Sequence, residues 1–93
     1  MQMNFGQAID YMKKDDWNMV AREGWVEKGV WLHKVTPPSS PFSSDGNSSD
    51  FEHVPYIEIK TANNKFAPWF PSQMDIFAED WMIVESNSDQ DEN

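Results

Sequence analysis

The chain has a single arginine, Arg22, set in the run Ala21-Arg22-Glu23-Gly24-Trp25. A guanidinium offers its donors in a planar fork, so it matches a phosphate or pyrophosphate two bonds at a time, as lysine cannot. Trp25 supplies a flat face that can stack on a purine. The plainer account is an exposed arginine at a strand end beside a tryptophan that covers the core, and spacing alone favours it. A second run, Pro68-Trp69-Phe70-Pro71-Ser72-Gln73-Met74-Asp75, joins another stacking surface, Trp69, to Ser72 and Asp75 at the spacing of a helix cap. Free amides at a helix start bind anions, but a serine that caps its own helix has a hydrogen bond already committed. A capped helix after a proline-braced turn is the simpler reading there. Asp75 could otherwise accept from ribose hydroxyls or an adenine amino group. In a third run, Ala78-Glu79-Asp80-Trp81, Asp80 ends a helical stretch and Trp81 opens a buried strand.

Catalytic chemistry finds little support in the same residues. His33 and His53 are the two histidines, and they read as surface residues because no metal-ligand spacing surrounds them. No Ser/His/Asp spacing and no phosphate-cradling glycine loop is present. The acidic pairs Asp15-Asp16 and Glu79-Asp80 are adjacent in sequence, which does not set two carboxylates across a cleft. The sequence therefore predicts a protein that is not an enzyme, with no cofactor and no metal.

The elements that must position these residues are short. Asn4 and Gln7 form a capping pattern, and Phe5, Ala8, Ile9 and Met12 then fall on one helical face. Lys13 and Lys14 suit the negative end of the helix dipole. Strands are expected at Asn18–Arg22, Gly29–Val35, Tyr56–Thr61, Lys65–Trp69 and Trp81–Glu85. Turns at Glu23-Gly24 and Asn63-Asn64 use residues that tolerate left-handed backbone. Pro68 confines its strand to an edge or an end. The fold class is α+β: one N-terminal helix packed on a small antiparallel β-sheet, with a short second helix near 72–78.

At 93 residues the chain is one domain at most. Residues 36–52, rich in Pro and Ser, read as a flexible loop, and 86–93 as a disordered acidic tail, leaving 1–85 as a single domain. Sixteen acids against seven bases give a net charge of −9. Asp45, Asp50 and Glu52 lie in the loop, and Glu85, Asp89, Asp91 and Glu92 at the C-terminal end. With those seven removed, nine acids remain against seven bases, so the body of the chain is nearly neutral. Clusters of Lys and Arg that would meet nucleic-acid phosphates are missing, so neither DNA nor RNA is an expected partner. No apolar run approaches the roughly 18 residues of a membrane span, and Met1-Gln2-Met3-Asn4 lacks the pattern of a signal peptide. With no cysteine to form a disulfide, a folded body this small is marginal alone, and self-association is the expected remedy. The residues by themselves support a small acidic α+β oligomer suited to a nucleotide-like ligand.

Four blocks then carry a resemblance that spans nearly the whole chain outside the loop and the tail. They are Met3-Asn4-Phe5-Gly6-Gln7-Ala8-Ile9; Val20-Ala21-Arg22-Glu23-Gly24-Trp25; Pro55-Tyr56-Ile57-Glu58-Ile59-Lys60-Thr61; and Pro68 through Trp81, the most specific. In that order and spacing the chain resembles the Thoeris anti-defence type-two family of small phage proteins, with the look of a Bacillus-phage member. The resemblance implies a molecular sponge acting in the cytoplasm of the infected bacterial host. Such proteins bind the cyclic ADP-ribose signal of Thoeris immunity, glycocyclic ADP-ribose, without cutting it, and so keep it from a cell-killing effector. It further implies a homotetramer with ligand pockets between protomers, and a second site for cyclic trinucleotides in some members. On this footing Trp25 and Trp69 would stack on adenine or line the pocket, and Phe5 would add apolar wall. Arg22 would meet the pyrophosphate, and Ser72, Gln73 and Asp75 would bond phosphate or ribose. Two other functions compete: an enzyme that degrades the signal, and an inhibitor that binds a host defence protein through exposed aromatics and the acidic tail.

Overall fold

A computed structural model describes residues 2–37 and 53–85. Most of the expected 36–52 loop and all of the expected 86–93 tail lie outside these residues. In chain order the elements are α1 (Phe5–Lys14), β1 (Met19–Arg22), a 3-10 turn (Val26–Lys28), β2 (Trp31–Val35), β3 (Tyr56–Lys60), β4 (Phe66–Pro68), α2 (Gln73–Phe77) and β5 (Trp81–Val84). The five strands form one antiparallel sheet in the order β4-β3-β2-β1-β5. The expected α+β architecture is the observed one.

Local chemistry explains the boundaries. Asn4 caps α1: its side chain accepts from the Gln7 amide at 2.8 Å while Gln7 Oε1 accepts from the Asn4 amide at 2.9 Å. That exchange satisfies two donors a helix start would otherwise leave open. Lys13 and Lys14 occupy its last turn. The second strand begins two residues later than expected, because Val26–Lys28 coil into a 3-10 turn closed by Gly29 at φ 76°. Asn64 takes φ 66° in the β3–β4 turn, the left-handed conformation Asn tolerates better than most residues. Pro68 ends the edge strand β4, where a missing N–H costs no ladder bond.

Alternation along the strands splits the sheet into two faces. Val20, Leu32 and Trp81 meet Ala8 and Met12 of α1 to form the buried core, with Phe5, Ile9, Ile57, Ile59, Trp25 and Trp69 packed around it. The face away from α1 carries His33, and here the sequence expectation fails. His33 is not a surface residue but 3% exposed. Its Nδ1 donates to the Asp16 carbonyl at 2.8 Å, Nε2 lies 2.8 Å from Glu58 Oε1, and Trp17 stacks on the ring at 4.3 Å. The β2–β3 register sets Glu58 directly opposite His33, and a pairing register is not readable when a long loop joins the strands. His53 is exposed, as expected. Thr36, read as the first loop residue, is fastened to the fold: its hydroxyl donates to Asp16 Oδ1 at 2.9 Å. That bond, aided by Lys34 and opposed by slight burial, holds the Asp16 carboxyl below its ordinary range.

Candidate functional site

Two sheet pairings build the site. The β1–β5 ladder sets Arg22 opposite Trp81, and the Glu23 amide extends it by donating to the Asp80 carbonyl at 3.1 Å. Arg22 therefore stands beside Asp80 although 58 positions separate them. The Trp25 amide donates to the Arg22 carbonyl at 3.0 Å, which folds the tryptophan back over the same end of the sheet. At the far edge, the Trp69 amide donates to the Ile57 carbonyl at 3.0 Å, carrying the β3–β4 ladder one residue beyond Pro68.

These placements gather the aromatic residues singled out from the sequence around one buried ring. Trp81 is fully buried. Phe5 lies 5.4 Å from it, Trp25 5.5 Å and Trp69 6.0 Å between ring centroids, and the Trp25 and Trp69 contacts are edge-to-face. Phe5 and Trp69 meet at 6.2 Å, and Trp25 and Trp69 at 6.4 Å. Such pairs each add about 0.5–1.5 kcal/mol beyond their area burial. Phe5, Trp25 and Trp69 remain half-buried, so each keeps part of its ring at the surface.

A charged group adjoins the aromatic one. Arg22 Nε donates to Asp80 Oδ1 at 2.9 Å and Nη2 to Asp80 Oδ2 at 3.5 Å, while Nη1 donates to Asp75 Oδ1 at 3.0 Å. The bonds to Asp80, and then to Asp75, raise the guanidinium above its usual range against some desolvation. Asp75 ties the group together. Its Oδ2 accepts from the Ser72 amide and from the Ser72 hydroxyl, both at 2.9 Å, and its carbonyl accepts from Trp81 Nε1 at 3.1 Å. Burial pushes its carboxyl up, but the bonds from Ser72 and the Arg22 charge outweigh that and hold it below the ordinary range.

The seven expected residues separate on this geometry. Phe5, Arg22, Trp25, Trp69 and Asp75 come together. Ser72 joins them as the cap of α2, with the Asp75 amide donating to its hydroxyl at 3.1 Å, so the structural role weighed for it is the one observed. Gln73 is exposed at the first position of α2, and among the described residues no side-chain hydrogen bond ties it to the group. The residue that sequence reasoning missed is Asp80, read there only as a helix terminator. The β1–β5 register alone reveals it, and no local pattern encodes which strands pair.

Within one chain the aromatic group packs tightly on Trp81 while Phe5, Trp25 and Trp69 keep part of their rings at the surface. Two open clefts lie elsewhere: one of about 540 Å³ along Glu23, Gly24, Glu27 and Met82–Glu85, and one of about 420 Å³ between Ile9, Lys13, Lys34 and Tyr56. None of the seven expected residues lines either. Among the described residues no cluster of His, Asp or Glu is placed to hold a metal, and no helix is long and apolar enough to cross a membrane. The arrangement can stack a flat ring on partly exposed indoles and offer a phosphate the remaining N–H groups of one guanidinium.

Comparison with known proteins bears on the same span. Residues 3–84, which hold every element of the site, match the family described as Tad2-like, the Thoeris anti-defense 2-like domain. The chain is also similar to Thoeris anti-defense 2 of Bacillus phage SP01, with 38% identity over 94 aligned positions covering 89% of this chain and 96% of that relative. By the match over residues 3–84 and by this degree of identity, the chain belongs to the Thoeris anti-defense 2 family.

Proposed function

We propose that the protein is a phage anti-defence sponge. In this reading it captures glycocyclic ADP-ribose, holds the signal uncleaved and so blocks Thoeris immunity in the cytoplasm of the infected bacterium. The observation that carries the reading is the seam between Arg22 and the aromatic group around Trp81. It sets the guanidinium of Arg22, held by Asp75 and Asp80 with further N–H groups to offer, beside surfaces fit for adenine, in a chain of the Thoeris anti-defense 2 family. An ADP-ribose ring closed on itself presents those features together: a flat base, hydroxyls and a pyrophosphate.

Sequestration asks for tight binding and slow release rather than turnover. Each tenfold in affinity requires about 1.4 kcal/mol, and a pocket formed before the ligand arrives lowers the ordering cost. The reading places the pocket between protomers of a homotetramer, where the partly exposed rings of one chain would face a second copy. A large exposed apolar surface on and before α2 supports self-association: Phe70 is 83% exposed, Met74 76% and Phe77 78%. The proposal extends to cyclic trinucleotides at a second site, and to neither DNA, RNA nor membrane as partner.

The test is depletion followed by release. Purified protein is mixed with glycocyclic ADP-ribose and filtered, and the filtrate and the heat-treated retained protein are both chromatographed. Loss from the filtrate with intact ligand recovered on heating is the expected result. Loss with a changed product would make the protein an enzyme. No loss would remove this ligand and turn attention to a host protein as the target.

A further inference from the structure

Arg22 meets two carboxylates with one positive charge, so the group carries a net single negative charge before any ligand arrives. A pyrophosphate would be repelled by it unless one carboxylate gave way. The two are held unequally. Asp75 is fixed on both oxygens, Oδ1 by Arg22 and Oδ2 by the amide and hydroxyl of Ser72, and its side chain is 14% exposed. Asp80 is 28% exposed and lies in the short link between α2 and β5. Among the described residues its carboxylate accepts from Arg22 alone, through one bond of 2.9 Å and one stretched to 3.5 Å. The Nε/Nη2 edge that Asp80 covers is also the fork by which an arginine grips a phosphate with two parallel bonds.

We propose that Asp80 is an exchangeable counter-ion that sets the anion selectivity of Arg22. A pyrophosphate-bearing ligand takes the Nε/Nη2 fork, Asp80 swings into solvent, and Asp75 stays in place to aim the guanidinium. The inference rests on the reading above that Arg22 meets the pyrophosphate of the signal. Displacing Asp80 costs binding free energy, so a bare phosphate gains little at this site. A ligand whose base also docks on Trp25 or Trp69 has a further source of affinity and succeeds. Asp80 thus imposes the same displacement cost on every anion that takes the fork, and only a ligand with a second source of affinity binds in spite of it, which is how a repulsive element excludes simple anions.

Asp80→Asn tests this, because it keeps the shape and one acceptor for Nε while removing the negative charge. The full-length wild type and variant are titrated calorimetrically with glycocyclic ADP-ribose, inorganic pyrophosphate and adenosine. The wild type is expected to bind the signal and to ignore millimolar pyrophosphate. Asp80→Asn is expected to bind the signal about tenfold tighter, to acquire measurable pyrophosphate binding, and to leave adenosine unchanged. Unchanged or weaker binding of both anions by the variant overturns the proposal. So does an equal gain for uncharged adenosine, which would mark a change of shape rather than of charge. If the wild type takes up no signal, the reading of the ligand fails, and the pyrophosphate titration still decides this proposal: a gain in the variant supports exchange and no gain overturns it. Near-ultraviolet circular dichroism of the tryptophans checks folding, and Asp80→Ser, neutral and shorter, carries the same expectations should Asp80→Asn fold poorly.

Discussion

Trp81 is the residue around which the aromatic group is arranged. Its ring has no exposed surface, touches Phe5, Trp25 and Trp69, and donates its one N–H to the Asp75 carbonyl. Trp81→Ala would open a cavity under all three and leave that carbonyl only the long bond from the Ala78 amide, 3.4 Å. The expected loss is about 3–5 kcal/mol, read as a fall in the urea midpoint. A loss below about 1 kcal/mol would mean that the three outer rings do not depend on it. Asp75 gives a pH prediction. Its carboxyl is held below the ordinary value of about 3.9, so the unfolded chain binds its proton first on acidification. The stability it contributes is present above the unfolded value and is lost as pH falls through the folded one. Asp75→Asn should be less stable than the parent at pH 6 and should lose less stability than the parent between pH 6 and pH 3, measured by urea unfolding at both. Equal losses in the two proteins would show that this carboxyl is not bound as described.

At the scale of the element, α2 is too short to hold its shape by itself. Five residues make little more than one turn, and isolated helices of that length are unstable in water. Three things fix it: the reciprocal cap between Ser72 and Asp75, the Arg22 bond that anchors the helix to β1, and the bond from Trp81 Nε1 of β5 to the Asp75 carbonyl. Ser72→Ala removes the cap acceptor and two of the bonds that orient Asp75 depend on the same residue, one of them through its hydroxyl. A stability loss of about 1 kcal/mol is expected, as a lowered thermal midpoint. Because Asp75 aims Arg22, a weaker capture of glycocyclic ADP-ribose should accompany it. Normal capture by a destabilised Ser72→Ala variant would show that α2 plays no part in presenting the guanidinium.

For the whole molecule, the balance between core and surface is the governing fact. Among the described residues the fully buried apolar side chains are few and mostly small or medium, apart from Trp81. Meanwhile Met74 and Phe77, three positions apart on α2, share an outward face, and Phe70 stands exposed in the segment before it. The two phenylalanines would bury about 300 Å² per protomer against a second copy, a sizeable part of the roughly 800 Å² per partner of a standard interface. Phe77→Glu is therefore expected to lower the sedimentation mass at micromolar concentration while leaving the circular dichroism of the monomer fold unchanged. An unaltered assembly would place the contact on another surface.

The sequence by itself determined the elements and most of their chemistry. Helix caps, the apolar face of α1, the alternation of the strands and the position of Pro68 all follow from interactions within a few residues, which local spacing records. It also named most of the aromatic group and Arg22, because indoles and a lone guanidinium are distinctive wherever they fall. Only the tertiary structure decided what these residues meet. Asp80 reaches Arg22 through the pairing of β1 with β5, and Glu58 reaches His33 through the register of β2 with β3. Both are contacts across long stretches of chain, chosen by the packing of the whole sheet. That same packing gave Arg22, weighed from the sequence as an exposed strand-end residue or an anion receptor, two carboxylate partners, and it turned a histidine read as solvent-facing into a buried one.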